Sequence, residues 1–146
     1  MVGVQRVMTV SAPAGTVLGY LADFGHSEIW DPRTKACTRS DDGGPIEVGA
    51  TWDQVAVFNG RESELRTTLV ERSDSRLVFV GENATVTATD DIVVEPTEDG
   101  SIVTYRADVR FKGLLKLAAP LLRPEFQRFG DEVERILPPV LERLTG

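Results

Sequence analysis

The sequence is poor in the two residue types that build most metal and redox centres. Cys37 is the one cysteine, so the chain has no intrachain disulfide, no Cys-x-x-Cys pair and no thiolate zinc site. His26 is the one histidine, which excludes an iron site made of two histidines and a carboxylate. A Ser-His-Asp triad would have to use His26, which lies in a polar turn with no obvious nucleophile near it in sequence. A Gly-x-Gly-x-x-Gly loop is also missing, and we expect no cofactor and no metal.

The chain lacks an excess of basic residues. It carries 16 Lys and Arg against 23 Asp and Glu, which gives a formal charge of −7, and it has no basic stripe. Binding to a nucleic-acid backbone needs clustered cations, and a net negative chain repels it. The composition therefore argues against nucleic-acid binding.

Long apolar runs are missing as well. The longest nearly uncharged run, Leu117–Leu122, is far shorter than the roughly 20 residues that a membrane-spanning helix needs. The N-terminal residues lack the basic segment and apolar core of a secretory signal. We therefore expect a cytoplasmic protein without stable membrane insertion, and 146 residues suit a single domain.

The first third of the chain contains a strand followed by short helices. Residues 3–10 are rich in valine and predict the first strand. Ser11 is expected to cap a helix, with Pro13 in its first turn and Gly25 at its end. Its apolar residues recur at helical spacing, at Val17, Leu18, Leu21 and Phe24. Residues 26–30 predict a second short helical turn, which Pro32 stops.

The middle of the chain is typical of antiparallel strands. Counting the first, seven strands are predicted, at about 3–10, 34–40, 50–58, 62–72, 76–82, 85–95 and 101–111. Asn59-Gly60 is the strongest hairpin signal. The connections are too short for parallel crossovers, so the sheet is expected to be antiparallel.

The last element is a long helix from about Leu114 to Leu144. Its apolar stripe is expected at Phe126, Phe129, Val133, Ile136, Leu137, Val140 and Leu144. Pro138 and Pro139 lie inside this stripe and are expected to bend the helix.

Several short motifs occur in a characteristic order. They are Ser11-Ala12-Pro13, Trp30-Asp31-Pro32, Val48-Gly49 before Trp52, Asp99-Gly100 before Val103-Thr104-Tyr105, and Phe111-Lys112-Gly113. In this order the chain resembles the polyketide cyclase/dehydrase and lipid-transport superfamily of START-like and Bet v 1-like domains, over nearly its whole length. The resemblance implies an α+β helix-grip fold, a seven-stranded antiparallel sheet wrapped around the C-terminal helix, with two short helices between the first two strands. The motifs mark turns, a helix start and core positions, so they carry over no catalytic residue.

A sheet gripping a helix encloses an apolar cavity of the kind that binds small molecules. Strand alternation places Asp90 on the inward face of the sixth strand, where burial would raise its pKa and suit acid–base chemistry. The alternative is a bulge at Asp90-Asp91 that turns Asp90 outward. Tyr105 of the seventh strand either offers its hydroxyl to a ligand or serves as a core aromatic. If the protein is an enzyme, Asp90 and Tyr105 are the candidate catalytic residues.

The other candidate ligand contacts are mostly aromatic. Thr67 is expected to face inward, whereas the face of Gln54 and Phe58 stays open because Val55 and Val57 alternate equally well. The remaining candidates are Trp30, Trp52, Phe79, Phe126 and Phe129. Trp30 can instead pin the short helices to the sheet, and the Phe126–Phe129 pair can be plain core.

Three functions remain open at this level. The first is binding or carriage of a small, largely apolar molecule such as a lipid, isoprenoid or aromatic polyketide. The second is a cyclase, aromatase or dehydratase reaction, which needs chain folding and a few acid–base groups. The third is a partner-binding or membrane-touching surface at residues 113–122, whose alternative is a buried start of the helix.

Overall fold

A computed structural model of the chain describes residues 2–144 and confirms the helix-grip fold. Seven antiparallel strands form a sheet in the order β1-β7-β6-β5-β4-β3-β2. They are β1 (Val2–Val10), β2 (Thr34–Arg39), β3 (Thr51–Phe58), β4 (Arg61–Arg72), β5 (Arg76–Glu82), β6 (Val86–Thr97) and β7 (Gly100–Phe111). The helices are α1 (Ala14–Ala22), α2 (Ser27–Trp30) and α3 (Ala119–Glu142), with 3-10 turns at Phe24–His26 and Gly113–Ala118.

The β3–β4 connection is the predicted two-residue hairpin. Asn59 and Gly60 have φ values of 50° and 74°, the left-handed conformation that this tight turn requires. The turn sets the register of the two strands, with Phe58 opposite Arg61 and Trp52 opposite Thr67. The open question about β3 is thereby decided, because Trp52, Gln54 and Ala56 are the buried residues of that strand.

An irregularity in β2 places an additional polar side chain inside the protein. The pairing of β2 with β3 shifts between Thr34 and Ala36. Residues three positions apart face opposite sides of a regular strand, but here both Thr34 and Cys37 are buried. The shift therefore turns the Thr34 hydroxyl toward the interior.

Helix α3 lies across the inner face of the sheet and approaches β1 most closely. At Gly130 the helix has no side chain, and a Cβ atom there would clash with Val4 Cγ2. Arg6 of β1 adds ion pairs to Asp131 at 2.8 Å and Glu134 at 3.8 Å. The grip is therefore tight beside β1, and the space between helix and sheet remains on the side of β3 to β6.

The buried stripe of α3 differs in part from the prediction. Phe126, Phe129, Val133 and Leu137 are buried as expected. Leu141 is also fully buried, whereas Ile136 and Val140 are only half-buried. The stripe runs in steps of three and four residues along one line, and Leu141 continues that line better than Val140.

The first helix is stabilised differently from the prediction. Ser11 does not cap α1; the N-cap position is Pro13, and α1 ends at Ala22 rather than at Gly25. The Ser11 backbone N–H and hydroxyl instead donate to the Glu142 carboxylate at the end of α3, at 2.6 and 3.1 Å. The prediction that Ser11 caps α1 is therefore wrong, because its polar groups bind a residue 131 positions away in the sequence.

The close approach at Gly130 gives a testable prediction. Glycine to alanine in a helix normally stabilises by about 1 kcal/mol. At Gly130 we expect the opposite, a loss of about 1–3 kcal/mol, because the added methyl group overpacks the helix against Val4. Urea unfolding of Gly130→Ala measures this.

Gly19→Ala is the matched control. Gly19 lies inside α1, and a Cβ atom there meets nothing within 4 Å. This variant is expected to gain stability through helix propensity alone. Equal stabilisation by both substitutions would contradict the tight contact between α3 and β1.

Candidate functional site

The space between α3 and the sheet is a cavity with an inner and an outer region. The inner region has a volume of about 50 Å³, and polar side chains from the α2–β2 loop, β3, β4 and β6 reach its wall. They are Asp31, Arg33, Gln54, Thr67 and Asp90. Aromatic rings form much of the remaining wall, at Phe24, Phe58, Phe79, Phe126 and Phe129.

The outer region is larger and almost entirely apolar. It has a volume of about 110 Å³ and, apart from Ser63, only apolar side chains line it, including Val86, Phe111 and Leu122. Ala56, Phe58, Leu65, Ala88, Val109 and Phe126 line both regions, so the two regions adjoin each other. The space between α3 and the sheet therefore has a polar end and an apolar end.

Two stacked phenylalanines stand where the regions meet. The rings of Phe58 and Phe126 are nearly parallel, with centroids 5.6 Å apart, and Phe129 packs edge-on against Phe126 at 5.6 Å. The Arg33 guanidinium lies 5.7 Å above the Phe58 ring. A cation–π contact of this kind holds the ring in place.

A chain of hydrogen bonds crosses the polar end. The Thr67 hydroxyl donates to Gln54 Oε1 at 3.2 Å, and Gln54 Nε2 donates to Thr34 Oγ1 at 2.8 Å. The Thr34 hydroxyl then donates to Asp31 Oδ2 at 3.0 Å. Each of these buried polar groups has a partner, which removes most of the cost of burying it. This series of hydrogen bonds also fixes the direction in which each side chain donates, and it ends at the Asp31 carboxylate.

Asp31 is a site residue that the sequence reading missed, because Trp30-Asp31-Pro32 was interpreted as a helix stop. Its Oδ1 atom accepts the backbone N–H of Arg33 at 2.8 Å in the turn after Pro32. Burial raises the pKa of Asp31 to about 6, although this bond and the one from Thr34 act in the opposite direction. Residues in such a turn follow neither the helical nor the strand pattern of apolar residues. The inward position of Asp31 therefore could not be predicted from the sequence and follows only from the fold.

Asp90 faces the cavity. The pairing of β6 with β5 and β7 is continuous through Asp90, opposite Phe79 and Ala107, so the bulge that would turn it outward is absent from these strands. Asp90 is half-buried and is one of the residues that line the cavity. Burial, together with the nearby charges of Asp31 and Asp108, raises the pKa of Asp90 well above its usual range, against the effect of the Tyr105 hydroxyl.

Tyr105 lies in the packed core beside the cavity. Its ring packs edge-on against Trp30 and Phe129, with centroids 5.6 and 6.3 Å apart. The hydroxyl is close enough to Asp90 to influence that carboxyl, yet among the described residues it forms no hydrogen bond of regular geometry. Burial and the charge of Asp90 raise the pKa of Tyr105 well above 10.0.

Most of the candidate ligand contacts line the cavity. These are Gln54, Phe58, Thr67, Phe79, Asp90, Phe126 and Phe129. Trp30, Trp52 and Tyr105 are instead fully buried in the core. The Trp52 indole N–H donates to Asp23 Oδ1 at 3.1 Å, which ties β3 to the turn after α1.

Arg33 is the second site residue that the sequence reading missed. Its guanidinium binds Glu125 at 2.7 Å and Glu132 at 3.0 Å, so it joins the α2–β2 loop to α3 beside the cavity. Within residues 2–144 the buried Arg33 Nε–H has no hydrogen-bond partner. The cavity wall therefore carries one unsatisfied cationic donor.

Comparisons with known proteins agree with this architecture. The sequence model of the family described as "Polyketide cyclase / dehydrase and lipid transport" matches residues 1–137. A START superfamily protein from Mycobacterium smegmatis has 17% identity and a TM-score of 0.75, over 98% of this chain and 99% of that chain. The Zhui aromatase/cyclase from a Streptomyces species has 15% identity and a TM-score of 0.74, over 97% and 93%. At these identities the structural likeness shows the fold alone.

A Thermus thermophilus protein has 18% identity and a TM-score of 0.71, over 97% of this chain and 94% of that chain. No curated protein matches the sequence. In residues 2–144 none of the helices combines the length and apolar character needed to cross a bilayer. The same residues contain no group of three or more His, Cys, Asp and Glu arranged to hold a metal ion.

The raised pKa of Asp90 predicts how Asp90→Asn changes stability with pH. Below the ordinary Asp value of 3.8, both proteins carry a neutral side chain and should be similarly stable. As pH rises from that value through the folded-state pKa, the wild type loses stability, because its folded state holds the proton more tightly. Urea unfolding across a pH series should show Asp90→Asn becoming progressively the more stable protein.

Asp91→Asn is the control on the opposite face of the same strand. Asp91 accepts hydrogen bonds from Arg76 at 2.9 and 2.7 Å. Its replacement should lower the free energy of unfolding by about 0.5–1 kcal/mol at neutral pH. This change is opposite in direction to the one expected for Asp90→Asn. A loss of stability in Asp90→Asn at neutral pH would contradict the raised pKa of Asp90.

Proposed function

The chain belongs to the polyketide cyclase/dehydrase and lipid-transport family, and we propose that its cavity binds and carries a small, largely apolar molecule with an oxygen-bearing end. The observation that carries this proposal is the pair of adjoining cavity regions beneath α3, one with a polar lining and one with an apolar lining. Burial of the apolar body of a ligand beside Phe58 and Phe126 supplies affinity. The few polar groups at the inner end set its orientation.

The polar end favours an oxygen acceptor on the ligand. The raised pKa of Asp90 favours its protonated form, which donates a hydrogen bond. The Arg33 Nε–H is a second donor, since no described residue accepts from it. A carbonyl or phenolic oxygen on the ligand accepts hydrogen bonds from donors of this kind.

The size of the cavity restricts the ligand. The regions of about 50 and 110 Å³ are smaller than the roughly 300–1,000 Å³ typical of drug-sized sites. A single-ring or short-chain molecule fits as the side chains stand. A larger one requires the Phe58 and Phe126 rings to separate, and both stand on the wall that the two regions share.

A second function, acid–base catalysis, is favoured by the pair of acids at the polar end. Asp31, with a pKa of about 6, is largely ionised at neutral pH, whereas the pKa of Asp90 is raised well above its usual range, which favours its protonated form. Two carboxyl groups that titrate apart can act as base and acid at one site. For a β-hydroxy ketone, Asp31 would accept the α-proton while Asp90 gives its proton to the departing hydroxyl, which leaves as water.

Filling the cavity tests the binding proposal. Ala88 lines both regions, and Ala88→Phe should remove binding of the single-ring apolar probe p-xylene, measured by isothermal titration calorimetry, because the added ring occupies the same space. Thr89→Phe, on the opposite face of β6, should bind the probe like the wild type. Thermal unfolding confirms that both variants fold, and unchanged probe binding in folded Ala88→Phe would refute the proposal.

Asp90→Asn separates the two functions. For a carrier, the variant should bind the apolar probe as well as the wild type. For an enzyme, it should lose turnover by about a hundredfold or more while its affinity for the ligand hardly changes. Native mass spectrometry of protein from its own host identifies the retained molecule, and incubation of that molecule with each variant shows whether its mass changes.

A further inference from the structure

Four leucines at the start of the C-terminal helix are exposed. Leu114, Leu117 and Leu121 are 87%, 80% and 81% exposed, and Leu115 is 44% exposed. They lie in the 3-10 turn and the first residues of α3, here called the leucine segment (residues 113–122). The expectation that this segment is simply a buried start of the helix is therefore wrong. Apolar groups clustered in this way are typical of an interaction surface.

Basic residues surround these leucines. The stretch from Arg110 to Arg123 contains four basic residues and no acidic one, although the whole chain has a charge of −7. Lys112 binds the Asn83 carbonyl at 2.8 Å and lies 3.5 Å from Glu82. Within residues 2–144, Arg110, Lys116 and Arg123 form no ion pair. Their charge is available to an anionic partner.

The leucine segment adjoins the apolar end of the cavity. An open depression of about 250 Å³ lies between Arg110, Phe111, Lys116 and Ala119. Phe111 also lines the outer region of the cavity, as does Leu122. A pair of cations, a group of exposed leucines and the apolar end of the cavity therefore occupy one face of the protein.

We propose that the leucine segment docks on the surface of an anionic lipid membrane. Leu114, Leu117 and Leu121 would enter the boundary between headgroups and acyl chains, while Arg110 and Lys116 bind a headgroup phosphate in the depression between them. The acidic remainder of the protein would be repelled by the same membrane, which orients this face toward it.

The exposure of the leucines favours a membrane over a protein partner. Side chains that are 80% exposed or more protrude from the surface and do not line a groove that could receive a helix or strand. A fluid interface accommodates such protruding side chains without a complementary pocket. Flanking Lys and Arg side chains bury their stems and keep their charges at the headgroups.

The role given to this docking rests on the proposed function, but the docking itself can be tested independently of it. If the cavity carries an apolar molecule, docking would bring its apolar end against the bilayer. The molecule would then pass between membrane and cavity without crossing water, which is the costly step for an apolar solute.

Co-sedimentation with vesicles tests the proposal. The wild type should bind vesicles of phosphatidylcholine with phosphatidylglycerol, bind phosphatidylcholine alone much less, and dissociate as salt is added. Leu117→Ser/Leu121→Ser should weaken binding by roughly tenfold or more for each leucine. Lys116→Gln should weaken binding to the anionic vesicles by about fivefold.

Two variants outside this face are matched controls. Val48→Ser alters a valine that is 59% exposed in the loop before β3, at the opposite end of that strand from Phe58. Arg135→Gln removes an exposed cation from α3. Both should sediment like the wild type, and binding of p-xylene in the cavity should be unchanged in every variant.

The outcomes distinguish this inference from the proposed function. The docking proposal would be overturned if the leucine double variant sedimented like the wild type, or if the wild type bound both vesicle types equally. Neither result would affect the evidence from probe binding in the cavity. Vesicle binding by a wild type that fails to bind the probe would support docking and refute the cavity proposal. Binding to a purified acidic protein without binding to vesicles would also overturn the membrane inference.

Discussion

The close contact between α3 and β1 is the constraint on which the rest of the structure depends. Because Gly130 has no side chain, the helix backbone can rest against Val4, and Arg6 holds it there through Asp131. A helix whose backbone is held this near one edge of the sheet stays farther from the strands at the other side, and long side chains such as Phe126 make its contact with Phe58 of β3. The cavity above β3 to β6 is therefore a consequence of how tightly the first strand is gripped.

Polar groups inside this cavity are tolerated because most of them bind one another. The Thr67 and Gln54 side chains would each be costly to bury alone, but they form successive links of a chain that ends at Asp31. The two acids themselves are accommodated by holding protons more tightly than in water. The Arg33 Nε–H differs from these groups, because it has no acceptor within residues 2–144.

The strands could be predicted from the sequence because their signals are local. The alternation of apolar residues along β6 and the Asn59-Gly60 turn depend on neighbours only a few positions away. The same alternation indicated that Asp90 faces inward, and the uninterrupted pairing of β6 agrees with it. In β3 both faces are apolar, so alternation alone could not choose between Gln54 and Val55, and burial beneath the helix decided it.

The sequence by itself determined the number and order of the strands, the long final helix and the apolar character of the space between them. Only the tertiary structure decided which loop residues enter that space. Asp31 and Arg33 flank Pro32 in a turn without any period, and they reach the cavity because α3 passes over that turn and binds Arg33. Likewise, Ser11 meets Glu142 across 131 residues, and Leu117 stays exposed because no other segment covers it within residues 2–144. The physical reason is the range of the interactions: periodicity reports on adjacent turns and strands, whereas loop positions depend on contacts between segments that are distant in the chain.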